Sequence, residues 1–412
     1  MPLALLALAI GAFGIGTTEF AVMGLLPDMA ADFGVSIPLA GYATTLYALG
    51  VVVGAPLMTV LGTRFTRKQM LMLLMGLFVV GNLLTGLAPT FGLVLVGRVV
   101  SAFAHGAFFG IGSLVAADLV APEKRAAALS LLFSGLTVAN VVGVPAGTLV
   151  SQQLGWRTTF YAITVLGVLG LFGIVKLVPA QRAKAAARIG SELAVFRNPQ
   201  VGLAMLMTVL GFGGVFAAIT YLASMMTGVA GFAPSSVIWL IAVFGLGMVG
   251  GNLFSGRYTD RAMMPMLYAS LAGLAVVLAA FTFTAHHKVA AVITIGLIGF
   301  FGFATVPPLQ KRVLDQAAAA PTLASAGNIA AFNFGNALAA WLGGLVISGG
   351  LGLTAPNWVG ALMTVAALGV AVLASSLERR RPGHSQVVAA GDPVVTVEAT
   401  EGDGAAAPAV RS

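Results

Sequence analysis

Apolar stretches of about twenty residues recur along this chain with little between them. That is the length at which a helix rising 1.5 Å per residue crosses the ~30 Å hydrocarbon core of a bilayer. Twelve such stretches fall at approximately 3–26, 38–61, 69–88, 91–115, 127–151, 158–178, 201–227, 237–254, 265–285, 289–307, 323–347 and 358–374 of the 412 residues. The expected fold class is therefore all-α and membrane-embedded, with twelve transmembrane helices. The first stretch lacks a basic leader and holds Glu19, so it is expected to be a span rather than a cleaved signal segment.

Composition agrees with this pattern. Hydrophobic residues make up 59% and charged residues 8% of the chain, against roughly 25% charged in a soluble domain. So little polar surface argues against a cytosolic enzyme. The absence of cysteine excludes disulfides, a thiol nucleophile and Cys-ligated metal sites, and four histidines make a metal cluster unexpected. No Gly-x-x-x-x-Gly-Lys phosphate loop and no nucleophile–base pair is in view. No cofactor is expected, with a proton gradient as the expected energy source, and an ATP-driven pump would need another chain.

Lysine and arginine set the orientation, because cytoplasmic loops accumulate them. With the N-terminus inside, the inner loops collect Arg64, Arg67, Lys68, Lys124, Arg125, Lys176, Arg182, Lys184, Arg188, Arg197, Arg257, Arg261, Lys311 and Arg312, whereas the outer loops hold Arg157 and Lys288. Arg379, Arg380 and Arg381 after the last stretch also fall inside, which requires an even number of crossings. Both termini are thus expected on the cytoplasmic side of the membrane. The net charge of +8 is explained by these loops, and no nucleic-acid partner is expected.

The Lys/Arg/Ala-rich stretch 179–200 divides the chain into two sets of six spans, 1–178 and 201–376, with 377–412 expected to be a disordered cytoplasmic tail. Thr59–Arg64 recurs as Gly256–Arg261 with Asp260, and Asn140 and Gly147 recur as Asn336 and Gly343, at offsets of 196 or 197 residues. Such matches in equivalent places favour an internal duplication of the kind found in two-domain secondary transporters.

Within the spans of the first half the ionisable residues are Glu19, Arg98 and His105. A charge at mid-membrane costs about 2.5–3.5 kcal/mol, so such groups usually face protein or a wet cavity and carry function. Glu19 and Arg98 sit at similar expected depths, which leaves an ion pair or a water bridge between them open. Glu19 would then be a proton acceptor whose affinity follows the opening of the cavity, or else half of a fixed structural pair. His105 lies two turns beyond Arg98 on the same face, as a candidate for binding substrate or protons, or as a buried structural imidazole. Tyr47, Asn140, Tyr221, Asn333 and Asn336 are polar groups that need partners in lipid and are candidates to line a substrate cavity. Pro145 between Gly143 and Gly147 predicts a kink, with a hinge as its sharper reading.

Taken together, several segments resemble the major facilitator superfamily, in its twelve-span drug:proton antiporter branch of bacterial exporters. They are Gly16-Thr17-Thr18-Glu19-Phe20, Met23-Gly24-Leu25-Leu26-Pro27, Gly97-Arg98 through His105-Gly106-Ala107-Phe108-Phe109-Gly110, Gly143-Val144-Pro145-Ala146-Gly147-Thr148, Gly155-Trp156-Arg157, Val306-Pro307-Pro308-Leu309-Gln310 and Asn333-Phe334-Gly335-Asn336. The likeness is closest to members described as arabinose-efflux permeases, with chloramphenicol exporters more distant. It implies alternating access, with Arg98 matching the fourth-span arginine and Gly143, Pro145 and Gly147 matching the fifth-span antiporter motif. It also implies gating by the loop after the second span, here Arg64, Arg67 and Lys68, where the motif's acidic residue is missing. The second-half copy keeps Asp260 and Arg261.

The leading expectation is a monomeric, proton-coupled exporter of a small organic solute, drug-like or sugar-like, with the solute, protons and lipid as its partners. An uncoupled facilitator or importer is the alternative within the fold. A non-transporting scaffold or sensor is the alternative from another class.

Overall fold

A computed structural model describes residues 3–62, 64–180, 193–318 and 321–379. Its helices are α1 (Leu3–Phe33), a short α2 (Ile37–Ala40), α3 (Tyr42–Gly62), α4 (Arg67–Leu87), α5 (Phe91–Asp118), α6 (Arg125–Val138), α7 (Val144–Leu154), α8 (Trp156–Leu177), α9 (Pro199–Ile219), α10 (Leu222–Gly228), α11 (Val237–Thr284), α12 (Lys288–Ala304), α13 (Val306–Gln316), α14 (Pro321–Ser348) and α15 (Ala355–Arg379). Among the described residues, no strand is present.

By length and composition, eleven helical stretches are able to cross a membrane. The difference from twelve lies in α11. Its 48 residues would extend about 70 Å if straight, more than twice the hydrocarbon thickness. Ala262, at φ −150° and ψ 64°, breaks it just before Pro265. A side chain at Gly251 would strike Phe300 and one at Gly273 would strike Phe301, so both arms of α11 lie against the same level of α12. The chain therefore turns back at Ala262, and α11 supplies two of the expected spans. The helix runs through the break because the reversal consumes one residue's dihedrals instead of a loop.

The first helix is longer than its apolar stretch. It continues past Leu26 through Pro27 to Phe33, because Asp28 accepts a hydrogen bond from Ser151 and Asp32 from Trp156 and Arg157. The turn between α7 and α8 depends on Gly155 at φ +86°, a backbone region that L side chains rarely adopt. It places Trp156 and Arg157 directly over that end of α1.

Two large apolar cores form, one drawn mainly from α1–α8 and the other mainly from α9–α15. Phe20, Met23 and Val144 of the first half pack into the second core, and Tyr221 of the second half packs into the first. Residues up to Ala374 make one compact body; from Ser375 the second unit is described only as the end of α15. In the expected connector, Leu193–Arg197 forms a 3₁₀ turn; residues 181–192 and the tail from 380 lie outside the described residues.

Glycine contacts set the helix spacing. Replacing Gly251 by alanine would drive a methyl into the Phe300 carbonyl, whereas Gly256 faces open space. Gly251→Ala is expected to lower stability by about 1–3 kcal/mol, the usual range for overpacking. Gly256→Ala is expected to be neutral or slightly stabilising. Thermal unfolding of the two purified variants in detergent checks the contrast.

Candidate functional site

The charge-poor end of the bundle is the one carrying Phe33 and Arg157; the basic end carries Arg64 and Arg67. Arg98 projects from α5 into full burial. A guanidinium cannot shed its charge in a protein and must be satisfied internally. Its Nε donates to the Ala43 carbonyl of α3 at 3.2 Å, and its Nη1 donates to the Thr18 carbonyl of α1 at 2.8 Å and the Thr18 hydroxyl at 3.2 Å. The guanidinium lies 4.1 Å from the centroid of the Tyr47 ring, a cation–π contact. Thr18 is itself anchored, donating to Asn82 of α4. Arg98 thus ties α1, α3 and α5 together.

Glu19 is buried, and the ion pair that its depth left open does not form within 4 Å among the described residues. The reason is register. With α1 extended to Phe33, Glu19 lies fourteen residues from the charge-poor end, and His105 lies fourteen residues from Phe91 at the same end. Glu19 consequently faces His105, with Oε2 3.9 Å from Nε2. The opposite ring nitrogen, Nδ1, is 3.3 Å from the Tyr47 hydroxyl. Phe109 covers the imidazole at 5.5 Å between ring centroids. Glu19, His105, Tyr47 and Arg98 form a continuous series, acid to imidazole to phenol to guanidinium.

The remaining cavity candidates divide. Tyr221 donates to the Ala340 carbonyl at 2.8 Å and fills the space over Gly41 and Gly344, so it plugs the seam between halves near the charge-poor end. Asn140 lies in a π-helical turn, Ala139–Gly143, and donates to Leu136. Its carbonyl would meet a side chain on Gly245 of α11 at 2.8 Å, so this turn is where the halves approach by backbone. Asn333 and Asn336 are buried on α14, and each has a side-chain oxygen with no protein partner among the described residues.

Where a kink is expected at Gly143, Pro145 and Gly147, the structure has that π turn, which ends where Val144 begins a new helix. A wide turn absorbs the missing Pro145 N–H ahead of the proline. A side chain at Gly143 would collide with Thr17, and one at Gly147 would reach Thr159 at 3.0 Å.

In the loop expected to gate, Arg67 pairs with Asp118 at the basic end of α5. The acid absent from the local motif is thus supplied from another helix. The sequence offered a signal, an aspartate ending the fourth span at the arginine's end of the bundle, but loop reading alone does not reach it. Lys68 donates to the Val175 carbonyl of α8 at 2.7 Å. Arg64, Asp260 and Arg261 are exposed, and none is in an ion pair within 4 Å among the described residues. The role of Thr18 is not legible in the sequence: threonines that bond their own helix are common, and only packing shows that this one accepts from Arg98.

The model for the Major Facilitator Superfamily matches residues 8–330. The chain belongs to that superfamily. It is 43% identical over 385 residues to the inner membrane transport protein YdhP of Escherichia coli O157:H7, covering 93% of this chain and 98% of that one. It is 36% identical over 375 residues to the chloramphenicol resistance protein of Streptomyces lividans, covering 90% and 96%. Among solved structures, a D-xylose-proton symporter superposes with a TM-score of 0.69 at 15% identity, over 89% of this chain and 96% of that one. At that identity the likeness is one of fold. The chain is a multi-pass membrane protein of a transporter family.

Removing Arg98 unties three helices, whereas removing the charge of Glu19 breaks no hydrogen bond described above. Arg98→Leu is therefore expected to cost about 3 kcal/mol or more, and Glu19→Gln much less. Unfolding midpoints of the two variants in detergent check the order.

Proposed function

We propose that this protein is a proton-coupled exporter of a small organic solute, working by alternating access between its two halves. Glu19 is the proton site, and the observation that carries the reading is its pairing. A carboxyl locked to Arg98 would be a fixed structural charge. This one faces His105 instead, while Arg98 is held by backbone carbonyls. Glu19 is then free to gain and lose a proton without dismantling the helix junction.

The connection to the rest of the molecule supports the same reading. His105 links Glu19 to Tyr47, and Tyr47 packs with Val51, Ala102 and Ile329 of α14 in the seam between the halves. Protonation at Glu19 therefore has a short mechanical route to the surface on which the halves rock. The positioning role of the gate falls to Arg67 and Asp118 at the basic end, which is the cytoplasmic end in this proposal. The cofactor is none beyond the proton gradient, and the working unit is a monomer in a bacterial inner membrane. One proton moving through 100 mV is worth about 2.3 kcal/mol, enough to sustain roughly a fifty-fold solute gradient under tight coupling.

Chloramphenicol, taken from the name of the Streptomyces relative, serves as the first transport probe. In proteoliposomes with an acidic lumen, the wild type is expected to accumulate it faster than at equal pH. Glu19→Gln is expected to abolish that acceleration, and Tyr47→Phe, which keeps the ring but loses the hydroxyl, to weaken it. An unchanged response to the gradient in Glu19→Gln would remove the proton role and favour an uncoupled facilitator.

A further inference from the structure

Lys68 stands in the loop expected to gate, yet its side chain turns to α8 within its own half. Its ammonium donates to the Val175 carbonyl at 2.7 Å. That carbonyl lacks the usual helical donor, because the residue four places on is Pro179, which carries no N–H. Lys68 therefore caps the end of α8. The cap uses one of the three donors on the ammonium and leaves its charge in place.

The next residue of α8 brings a second charge to the same spot. Lysines at the end of a membrane helix usually extend away from the hydrocarbon toward water. Lys176 does the reverse. Its ammonium lies back along the helix, 5.8 Å from the centroid of the Phe172 ring, which is rooted roughly 7 Å in from the end of α8. Neither Lys68 nor Lys176 is in an ion pair within 4 Å among the described residues, and Asp118 at this end is taken by Arg67. Two cations at the edge of the hydrocarbon thus share one neighbourhood with no protein acid in contact.

The surface beside them is apolar and open. The two helices run antiparallel in contact, since a side chain at Gly170 would come within 3.4 Å of Met75 and one at Gly167 would strike Val79. Next to that contact Gly76 of α4 faces open space, and Val168, Leu169 and Phe172 of α8 stay exposed, Phe172 by 60%. The wall continues from the lysines toward the middle of the span. An occupant must offer an anion at one end and hydrocarbon at the other.

We propose that Lys68 and Lys176 hold the phosphate of an anionic glycerophospholipid, in the leaflet at the basic end, with its acyl chains along Val168, Leu169 and Phe172. An anionic headgroup fits better than a zwitterionic one, because two lysines without an acid offer nothing to an amine or a choline. The bound lipid would bridge α4 and α8 inside the first half, away from the seam between halves. Binding needs neither protons nor a solute, so it stands apart from the transport reading above.

The test uses the purified full chain in detergent, with the unfolding midpoint as readout, since a ligand of the folded state raises it. The probes are dioleoylphosphatidylglycerol, dioleoylphosphatidylcholine with the same chains, and glycerol 3-phosphate as a free phosphate. Phosphatidylglycerol is expected to raise the midpoint saturably, and the other two are not. Lys68→Gln keeps a donor for the Val175 carbonyl while losing the charge. It and Lys176→Gln are each expected to weaken the apparent affinity for phosphatidylglycerol by about fivefold, the usual worth of one lysine at an anionic lipid surface. Lys288→Gln, which removes a cation beside Phe232 at the other end of the bundle, is expected to leave it unchanged. Should Lys68→Gln fail to fold, the exposed Lys176 carries the test alone. Equal stabilisation by phosphatidylcholine, a response to glycerol 3-phosphate alone, unchanged affinity in folded Lys176→Gln, or an equal loss in Lys288→Gln overturns the proposal.

Discussion

A guanidinium in the interior of a membrane protein must find its hydrogen bonds on the protein itself, and Arg98 finds them on the backbone carbonyls of Thr18 and Ala43. This fixes the relation of α1, α3 and α5 by three bonds whose acceptors carry no proton equilibrium. The positive charge stays in place whatever happens around it. Glu19, His105 and Tyr47 are grouped beside this fixed charge. Had the arginine been satisfied by the carboxylate, one side chain's protonation would have loosened the helix junction itself. Because backbone carbonyls hold the arginine, the Glu19 carboxyl is not needed to hold the helix junction.

Close helix approach provides the second constraint. Without a hydrophobic force between helices in lipid, packing depends on small residues that let backbones meet. Gly245 admits the carbonyl of Asn140 across the seam, and Gly41 and Gly344 leave the space that Tyr221 fills. The first contact is a smooth backbone surface; the second is an aromatic plug with one hydrogen bond, to Ala340. Tyr221 belongs by chain position to the second half but by packing to the first core. The two cores meet along this seam, where Phe20, Met23 and Val144 enter one and Tyr221 the other.

The basic end illustrates how a motif can be incomplete in sequence and complete in space. Arg67 begins α4 behind a capping box made by Thr66 and Gln69, which sets where the helix starts and where the arginine points. Its partner Asp118 ends α5. The two are 51 residues apart in the chain. An acid on another helix can pair with Arg67 because an ion pair depends on separation in space and not along the chain.

Much of the architecture could be read from hydropathy and charge. Chain segments that must bury every backbone polar group in lipid have helix as their main option, so the spans, their number, the all-α class and the family resemblance followed from local pattern. Even the hairpin at Ala262 was anticipated as two spans, though the helix end of α1 was not, because Asp28 and Asp32 gain partners that only folding supplies. The sequence by itself also singled out Glu19, Arg98 and His105, since charge in an apolar run is conspicuous at any level of description. What it could not determine was which of them meet. The sequence left an ion pair or a water bridge between Glu19 and Arg98 open; the structure sets the Glu19 carboxyl against His105, with no Glu19–Arg98 ion pair within 4 Å among the described residues. Pairing depends on the registers of several helices at once, and register is set by glycine contacts and polar anchors spread over the whole chain. Only the tertiary structure adds them together.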